Sequence, residues 1–342
     1  MVDFAGWLMP VQYGGILDET RAVRTGVGIF DVSHMGRVRF TGAGAESLLQ
    51  RLTTNDAAAL GPSQAQYSML ANPDGGLVDD IIVYRLAESE YLVVINAGNA
   101  AKDLEWMRGH MQPGAALADE SAQTAMIAIQ GPQAPEMTAQ LCGDAAILEI
   151  GRFHCARAGI AGAEALLCRT GYTGEDGFEV IVPAEQAAAV WSALVTAGAA
   201  PCGLGARDVL RIEAGYPLYG HEIDDRMGPV EAGLMWAVSM EKGDFIGREG
   251  IARRQAEGPA QRLVGLVLTD RMAPRQGYAV MRGGEAIGTV TSGVFSPGRG
   301  ASVAMAYLDA GAARSGDAVE VAIRDKRAPA VVTPKKKLRK AT

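Results

Sequence analysis

The sequence predicts an α+β protein that ends in a separate all-β domain, and three observations carry that prediction. Apolar runs of strand length recur at 36–40, 81–85, 91–96, 125–130, 165–169 and 178–182. Ala-rich amphipathic segments at 43–52, 100–111, 134–141 and 184–197 read as helices between them. Past Pro259 the pattern changes to short strands and Gly-rich turns: RLVGLVL, YAVMR-GG-EAIGTVTSG, ASVAMAYL, DAVEVAIR and APAVVT.

Taken in order, the N-terminal elements mix consecutive strands with single helices, which favours α+β over a regular doubly wound sheet. Several of the helical segments open on Gly, Pro or Asn, as helix starts do. FTGAGAES, Phe40 to Ser47, follows a strand and opens a helix, but Ser47 stands where a dinucleotide-binding turn needs its third glycine. The polar stretch RRQAEGP, 253–259, reads as a linker. It divides the chain into a region 1–252, a β domain 260–334 and a basic tail 335–342. Within the β domain, Arg282-Gly283-Gly284-Glu285 is a hairpin turn signal, and the domain reads as a small barrel or sandwich.

The chain has 342 residues, 48% hydrophobic and 21% charged, the composition of a soluble globular protein. A net charge of −7 argues against a broad phosphate-binding face, hence against a nucleic-acid partner. The exception is KKKLRK, Lys335 to Lys340, a terminal charge run that reads as solvated and mobile, with an acidic partner protein as the sharper alternative. Cys142, Cys155, Cys168 and Cys202 show no CxxC spacing and read as reduced thiols of a cytosol-like compartment. The histidines His34, His110, His154 and His221 are equally scattered, so no metal site is expected. No apolar run approaches the ~18 residues that span a membrane. MVDFAGWLMP lacks a basic region followed by an apolar core and is not read as a secretory signal. Its aromatic and apolar residues predict ordered structure from the outset, or a start site that trims a short leader.

Three segments carry candidate chemistry. In GGLVDDIIVYRL, Gly75 to Leu86, Asp79 and Asp80 interrupt a strand whose two faces are both apolar, so at least one carboxylate points inward. Alternation puts Asp79 with Leu77, Ile81 and Val83, and Asp80 with Ile82, Tyr84 and Leu86. RTGYTGEDGFEVIVP, Arg169 to Pro183, joins three glycines and Tyr172 to Glu179, an acid inside an apolar strand. A buried carboxylate there suits the paired N–H donors of a planar heterocycle. In CGLGARDVLRIEAGYPLYG, Cys202 to Gly220, Arg207 and Arg211 lie one helical turn apart. Either can hold a carboxylate or neutralise a buried acid; a surface helix with Asp208 and Glu213 as local partners is the plainer reading. A fourth segment, FDVSHMG, crowds Asp31, Ser33 and His34 together, but a turn entering a strand explains it better than a catalytic triad. The three segments together describe a pocket for a planar, hydrogen-bonding, carboxylate-bearing ligand.

These segments, with MVDFAGWLMPVQY, VVINAGNAAKD, AIQGPQA, GLGARDVLRIEAGYPLYGHEID and TVTSGVFSP, resemble the aminomethyltransferase (T-protein) family of the glycine cleavage system, in order from Met1 to about Pro334. The fold this resemblance implies is a three-domain clover around a central folate pocket, made of two interleaved α+β units and the C-terminal β domain. The implied activity takes the aminomethyl group from the lipoyl arm of H-protein, releases ammonia and forms 5,10-methylenetetrahydrofolate. Tetrahydrofolate is the implied co-substrate, with no metal and no flavin, in the cytoplasm or, for a processed eukaryotic chain, the mitochondrial matrix. The family's acidic catalytic residue falls on Asp80, its pterin-binding glutamate on Glu179 and its folate-binding arginine on Arg207. Met35, Tyr67, Tyr84, Asn96 and Tyr172 match positions lining the pocket. Asp79 is left to a structural partner, such as an arginine.

The chain departs from the family in two places. The family usually carries further residues before the MVDFAGW-like segment, which points to a mis-set start, and the tail KKKLRKAT lacks the aromatic that often reaches the folate's glutamate end. A folate-dependent demethylase of small methylated amines or sulfonium compounds, and a non-catalytic folate-binding module, are the alternatives the same fold allows.

Overall fold

The computed structural model describes residues 1–269, 271–312 and 314–339. Two sheets form the N-terminal region, and the chain weaves between them. The first is antiparallel and five-stranded, in the order Ala65–Ala71, Leu77–Ala87, Glu90–Ile95, Gly36–Thr41, Ala116–Asp119. The second runs Cys155–Ile160, Ala163–Cys168, Gly177–Pro183, Thr124–Gln130, Gly28–Asp31, with Ala200–Pro201 added in parallel at its edge. Gly28–Asp31 and Gly36–Thr41 are consecutive strands in different sheets, so the chain crosses over at 32–35. That crossing is what interleaves the two units.

Each sheet is covered by helices whose apolar spacing matches the helical period. Ala45–Leu52 buries Ala45, Leu48, Leu49 and Leu52 against the five-stranded sheet. Ala134–Cys142 has proline in its first turn and Gly143 as a left-handed C-cap, and buries Ala134 and Ala139 against the six-stranded sheet. The sheets' remaining faces meet in a shared core containing Tyr84, Leu92 and Val94 from one, and Phe30, Met126, Ala128 and Ile181 from the other.

The C-terminal domain is a closed barrel in the order Gln261–Leu268, Ala301–Asp309, Glu285–Ser296, Ala279–Arg282, Ala318–Ile323, Lys326–Thr333. Of barrel and sandwich, the structure selects the barrel. The Arg282–Glu285 hairpin turns through Gly283 and Gly284 at φ of 58° and 94°, the left-handed backbone a two-residue turn requires. A third core joins this domain to the rest, uniting Leu263, Val294, Val303 and Met305 with Val209 and Ile212 of the helix Leu204–Ala214 and Met69 and Leu77 of the five-stranded sheet.

Two expectations need correction. The stretch read as a linker is the second half of a helix, Arg248–Glu257, and the barrel's first strand starts at Gln261. The helix buries only Gly250 and Ile251, so its composition is that of a loop. It packs on the turn that precedes the Asp79–Asp80 strand, where Arg254 donates to the Asp74 carbonyl at 2.8 Å. The basic tail is docked rather than solvated: Leu338 is fully buried in the joining core, and Arg339 pairs with Glu175 at 2.7 Å. Lys340, Ala341 and Thr342 lie outside the described residues. The N-terminus is ordered as the hairpin Val2–Phe4/Trp7–Met9, but Val2, Phe4, Trp7 and Leu8 are exposed.

Candidate functional site

A cavity of about 1030 Å³ opens where the two sheets meet the helix Leu204–Ala214 and the C-terminal segment. Of the sequence-predicted residues, Met35, Tyr67, Asp80, Asn96, Tyr172, Glu179 and Arg207 line it. They come from six separate stretches of chain, which only the interleaved topology brings together.

Asp80 sits near the start of the strand Leu77–Ala87, opposite Met69. Tyr67, two residues along the neighbouring strand on the same face, donates its hydroxyl to Asp80 Oδ2 at 3.1 Å. Asn96, just past the end of Glu90–Ile95, donates Nδ2 to Asp80 Oδ1 at 2.8 Å and to the Asp80 carbonyl at 3.0 Å. No arginine or lysine forms an ion pair with Asp80 among the described residues. Burial, and then the neighbouring Asp79, push the Asp80 carboxyl up to about 7, against the hydrogen bonds from Tyr67 and Asn96. A group poised there can hold or release a proton near neutral pH.

Across the cavity, Glu179 lies in Gly177–Pro183 and is 8% exposed. Thr170 donates to its Oε2 at 2.6 Å, and no donor reaches Oε1 among the described residues. Burial raises the Glu179 carboxyl, and the Thr170 bond and Arg207 oppose that rise. The Arg207 guanidinium stacks 4.9 Å from the centre of the Tyr172 ring, with Nη1 buried and without an acceptor. An unpaired acceptor oxygen and an unpaired guanidinium nitrogen in one cavity are the groups a planar, donor-edged, anionic ligand would complete. The glycines of the 170–177 loop serve the protein's own packing as well as the cavity: a Cβ on Gly171 would stand 2.0 Å from the Gln130 amide oxygen.

Tyr84 does not line the cavity. It is fully buried behind the wall, where its hydroxyl meets Thr170 Oγ1 at 2.8 Å, one step removed from Glu179. The strand carries Asp80 and Tyr84 on one face, but the sheets converge away from the cavity and close over Tyr84. Among the described residues no arginine pairs with Asp79. Its carboxylate accepts from the Asn96 backbone N–H at 3.0 Å, Asn96 Nδ2 at 2.9 Å and Asn99 Nδ2 at 2.5 Å. Alternation separates the two acids, yet one asparagine at the end of the next strand holds both.

The other segments resolve as follows. In FDVSHMG, the Ser33 N–H donates to Asp31 Oδ1 at 2.9 Å in a turn, and Ser33 Oγ accepts from the Met126 N–H at 3.1 Å, so no triad forms. His34 lines the cavity, and burial, with Arg207 and Arg37, lowers it to about 4. Arg211 neutralises the buried Glu222 at 2.7 Å and bonds Asp208 at 2.8 Å, while Glu213 pairs with Arg24 at 2.7 Å. The helix is buried, not superficial. Sequence reading missed Trp236, stacked on Tyr67 at 5.3 Å between ring centres, and also Lys335 and Lys336 at the cavity. The only signal for Trp236 was a lone aromatic in an otherwise unpatterned stretch. Among the described residues no group of three or more His, Cys, Asp or Glu could hold a metal ion, and no helix is long and apolar enough to cross a membrane.

Comparison with known proteins agrees along the whole chain. The family model described as the GCVT N-terminal domain matches residues 1–242, and that of the glycine cleavage T-protein C-terminal barrel domain matches 261–336. The chain is 47% identical to an aminomethyltransferase of Symbiobacterium thermophilum, over 98% of this chain and 92% of that protein. It is 44% identical to an aminomethyltransferase of Bacillus subtilis, over 97% of this chain and 94% of that protein. The crystal structure of the glycine cleavage system aminomethyltransferase T from Bartonella henselae superimposes with a TM-score of 0.92 at 34% identity, covering 99% of this chain and 94% of that one.

Proposed function

The chain belongs to the glycine cleavage T-protein family, and from that membership we infer that it is a tetrahydrofolate-dependent aminomethyltransferase. It takes the aminomethyl group from the lipoyl arm of H-protein, releases ammonia and forms 5,10-methylenetetrahydrofolate. The names of its relatives do not favour a demethylase or a non-catalytic folate module.

Tetrahydrofolate supplies the nitrogens that take up the one-carbon unit. The residues present fit it: Glu179 offers a free carboxylate oxygen to the N–H donors of the pterin edge, and Arg207, flat against Tyr172, offers an unpaired guanidinium nitrogen. Lys335 and Lys336 add positive charge at the same cavity. Asp80 is the acidic catalytic residue: as an anion it accepts or relays a proton near neutrality and favours positive charge developing on the one-carbon unit. Tyr67 and Asn96 fix its orientation, and the buried wall excludes water from its apolar side. The four thiols, all free, support a reducing, cytosol-like compartment.

The observation that carries the reading is Asp80 itself: a carboxylate without a cation, held by two neutral donors at a cavity that also contains Glu179 and Arg207. The protein incubated with tetrahydrofolate and aminomethyl-loaded lipoyl carrier is expected to release ammonia in a folate-dependent manner. Asp80→Ala releasing it as fast as the native chain would refute the assignment.

A further inference from the structure

Behind the cavity wall lies a second acid that the chemistry above leaves unused. Asp103, in the first turn of the helix Ala100–Gly109, is completely buried, and neither carboxyl oxygen has a hydrogen-bond donor among the described residues. It lies within hydrogen-bonding reach of Asp79, itself completely buried. Among the described residues no cation forms an ion pair with either. The nearest, Lys102 on the same helix, directs its Nζ to the Tyr219 hydroxyl at 2.9 Å and over that ring at 4.1 Å.

Two buried carboxylates in contact cannot both be ionised, so the pair holds one proton. Hydrogen-bond geometry decides where it resides. Asp79 already accepts three N–H bonds, two from Asn96 and one from Asn99, which only an anion uses fully. Asp103 accepts none, and as an acid it has one O–H to give. The groups facing Asp103 are Asp79 and Asp80 from the sheet, Lys102 from its own helix and Tyr219 from the 215–228 loop. Burial first and Asp79 second hold the Asp103 carboxyl up to about 10, whereas Lys102 pulls it down.

We propose that Asp103 is a positioning residue: its buried carboxylic acid donates to Asp79, and Asp79 so fixed clamps Asn96 against Asp80. The chain of contacts is continuous, because the same Asn96 Nδ2 reaches Asp79 Oδ1 at 2.9 Å and Asp80 Oδ1 at 2.8 Å. The shared proton also limits the pair to one negative charge, so Asp80 titrates beside one anion rather than two. The proposal rests on the assignment of Asp80 as the acidic catalytic residue.

The test uses D103N, which keeps an N–H donor, and D103A, which has none. In the ligand-free protein at about pH 8, the infrared difference between native chain and D103N is expected to show loss of one protonated-carboxyl C=O band. D103N is expected to keep kcat within about 3-fold, and D103A to lose about 10-fold or more in kcat with KM for tetrahydrofolate nearly unchanged. A carboxylate band lost in place of the acid band would overturn the proposal, as would D103A matching D103N, or D103N falling as far as D103A. Should D103A not fold, the infrared difference and D103N decide. If D80N kept full activity, the functional reading would fail while the infrared result for Asp103 still stood.

Discussion

Two groups of buried acids, one beside the barrel and one at the cavity, are treated in opposite ways. On the side facing the barrel, the buried Glu222 and Glu213 each have an arginine. Glu222 pairs with Arg211 and accepts hydroxyls from Thr291 and Ser292 at 2.6 Å, and Glu213 pairs with Arg24. On the cavity side, Asp79, Asp80 and Asp103 form no ion pair among the described residues; asparagine amides and a tyrosine hydroxyl hold Asp79 and Asp80, and Asp103 has no donor there. Neutralised acids hold the domains together. Asp80, held by neutral donors, and Asp103, held by none, keep raised proton affinities, which are useful to chemistry and unfavourable to stability.

The contrast is broken most severely by D80N, expected to lower kcat by about 1000-fold while tetrahydrofolate still binds, read by ammonia release and folate titration. The same variant tests the stability side. The folded-state pKa of Asp80 lies above the unfolded value, so its contribution is fully present below the ordinary aspartate value of about 3.8 and is lost as pH rises through about 7. D80N is therefore expected to be more stable than the native chain at pH 8, by on the order of 2 kcal/mol in urea unfolding, with the gap closing towards pH 4. On the paired side, R211M leaves Glu222 buried without its cation. It is expected to cost about 3–5 kcal/mol in the same experiment, with the kcat of the folded protein changed by less than about 3-fold. E179A is expected to raise KM for tetrahydrofolate by about 10- to 100-fold and to spare kcat, because it removes an interaction made equally before and during the reaction. Y84F, behind the wall, sharpens the boundary of the site: it is expected to cost about 1 kcal/mol in stability and leave both kinetic constants within about 2-fold.

Much of the fold was legible where pattern alone decides it. The β-rich end of the chain, the Gly283–Gly284 turn and the helix Ala45–Leu52 follow from local periodicity, and the structure repeats them. The helix Arg248–Glu257 was not legible, since a helix that buries one side of one turn has the composition of a loop. Nor was the docked tail, because a single apolar residue, Leu338, anchors it among charges. In the site, Asp80 and Glu179 stood out as acids in apolar strands, and Arg207 as an arginine near the Tyr172 loop. Tyr84 shared the face of Asp80 by alternation, but a strand face does not reveal where the opposing sheet closes over it. For Asp79 the sequence suggests a partner such as an arginine. The structure supplies Asn96, Asn99 and Asp103, three residues of one segment whose meeting with Asp79 depends on the strand order of the sheet.

The most direct test of Asp80 as the ionising group of the site is the pH dependence of kcat/KM for tetrahydrofolate in the native chain and in Y67F. An acid limb centred near the Asp80 value of about 7 is expected in the native chain. Removing the Tyr67 hydroxyl removes a bond that favours the anion, so in Y67F the limb moves to higher pH by about 0.5–1 unit. A limb that stays in place in Y67F, or that persists unchanged in D80N, contradicts the account.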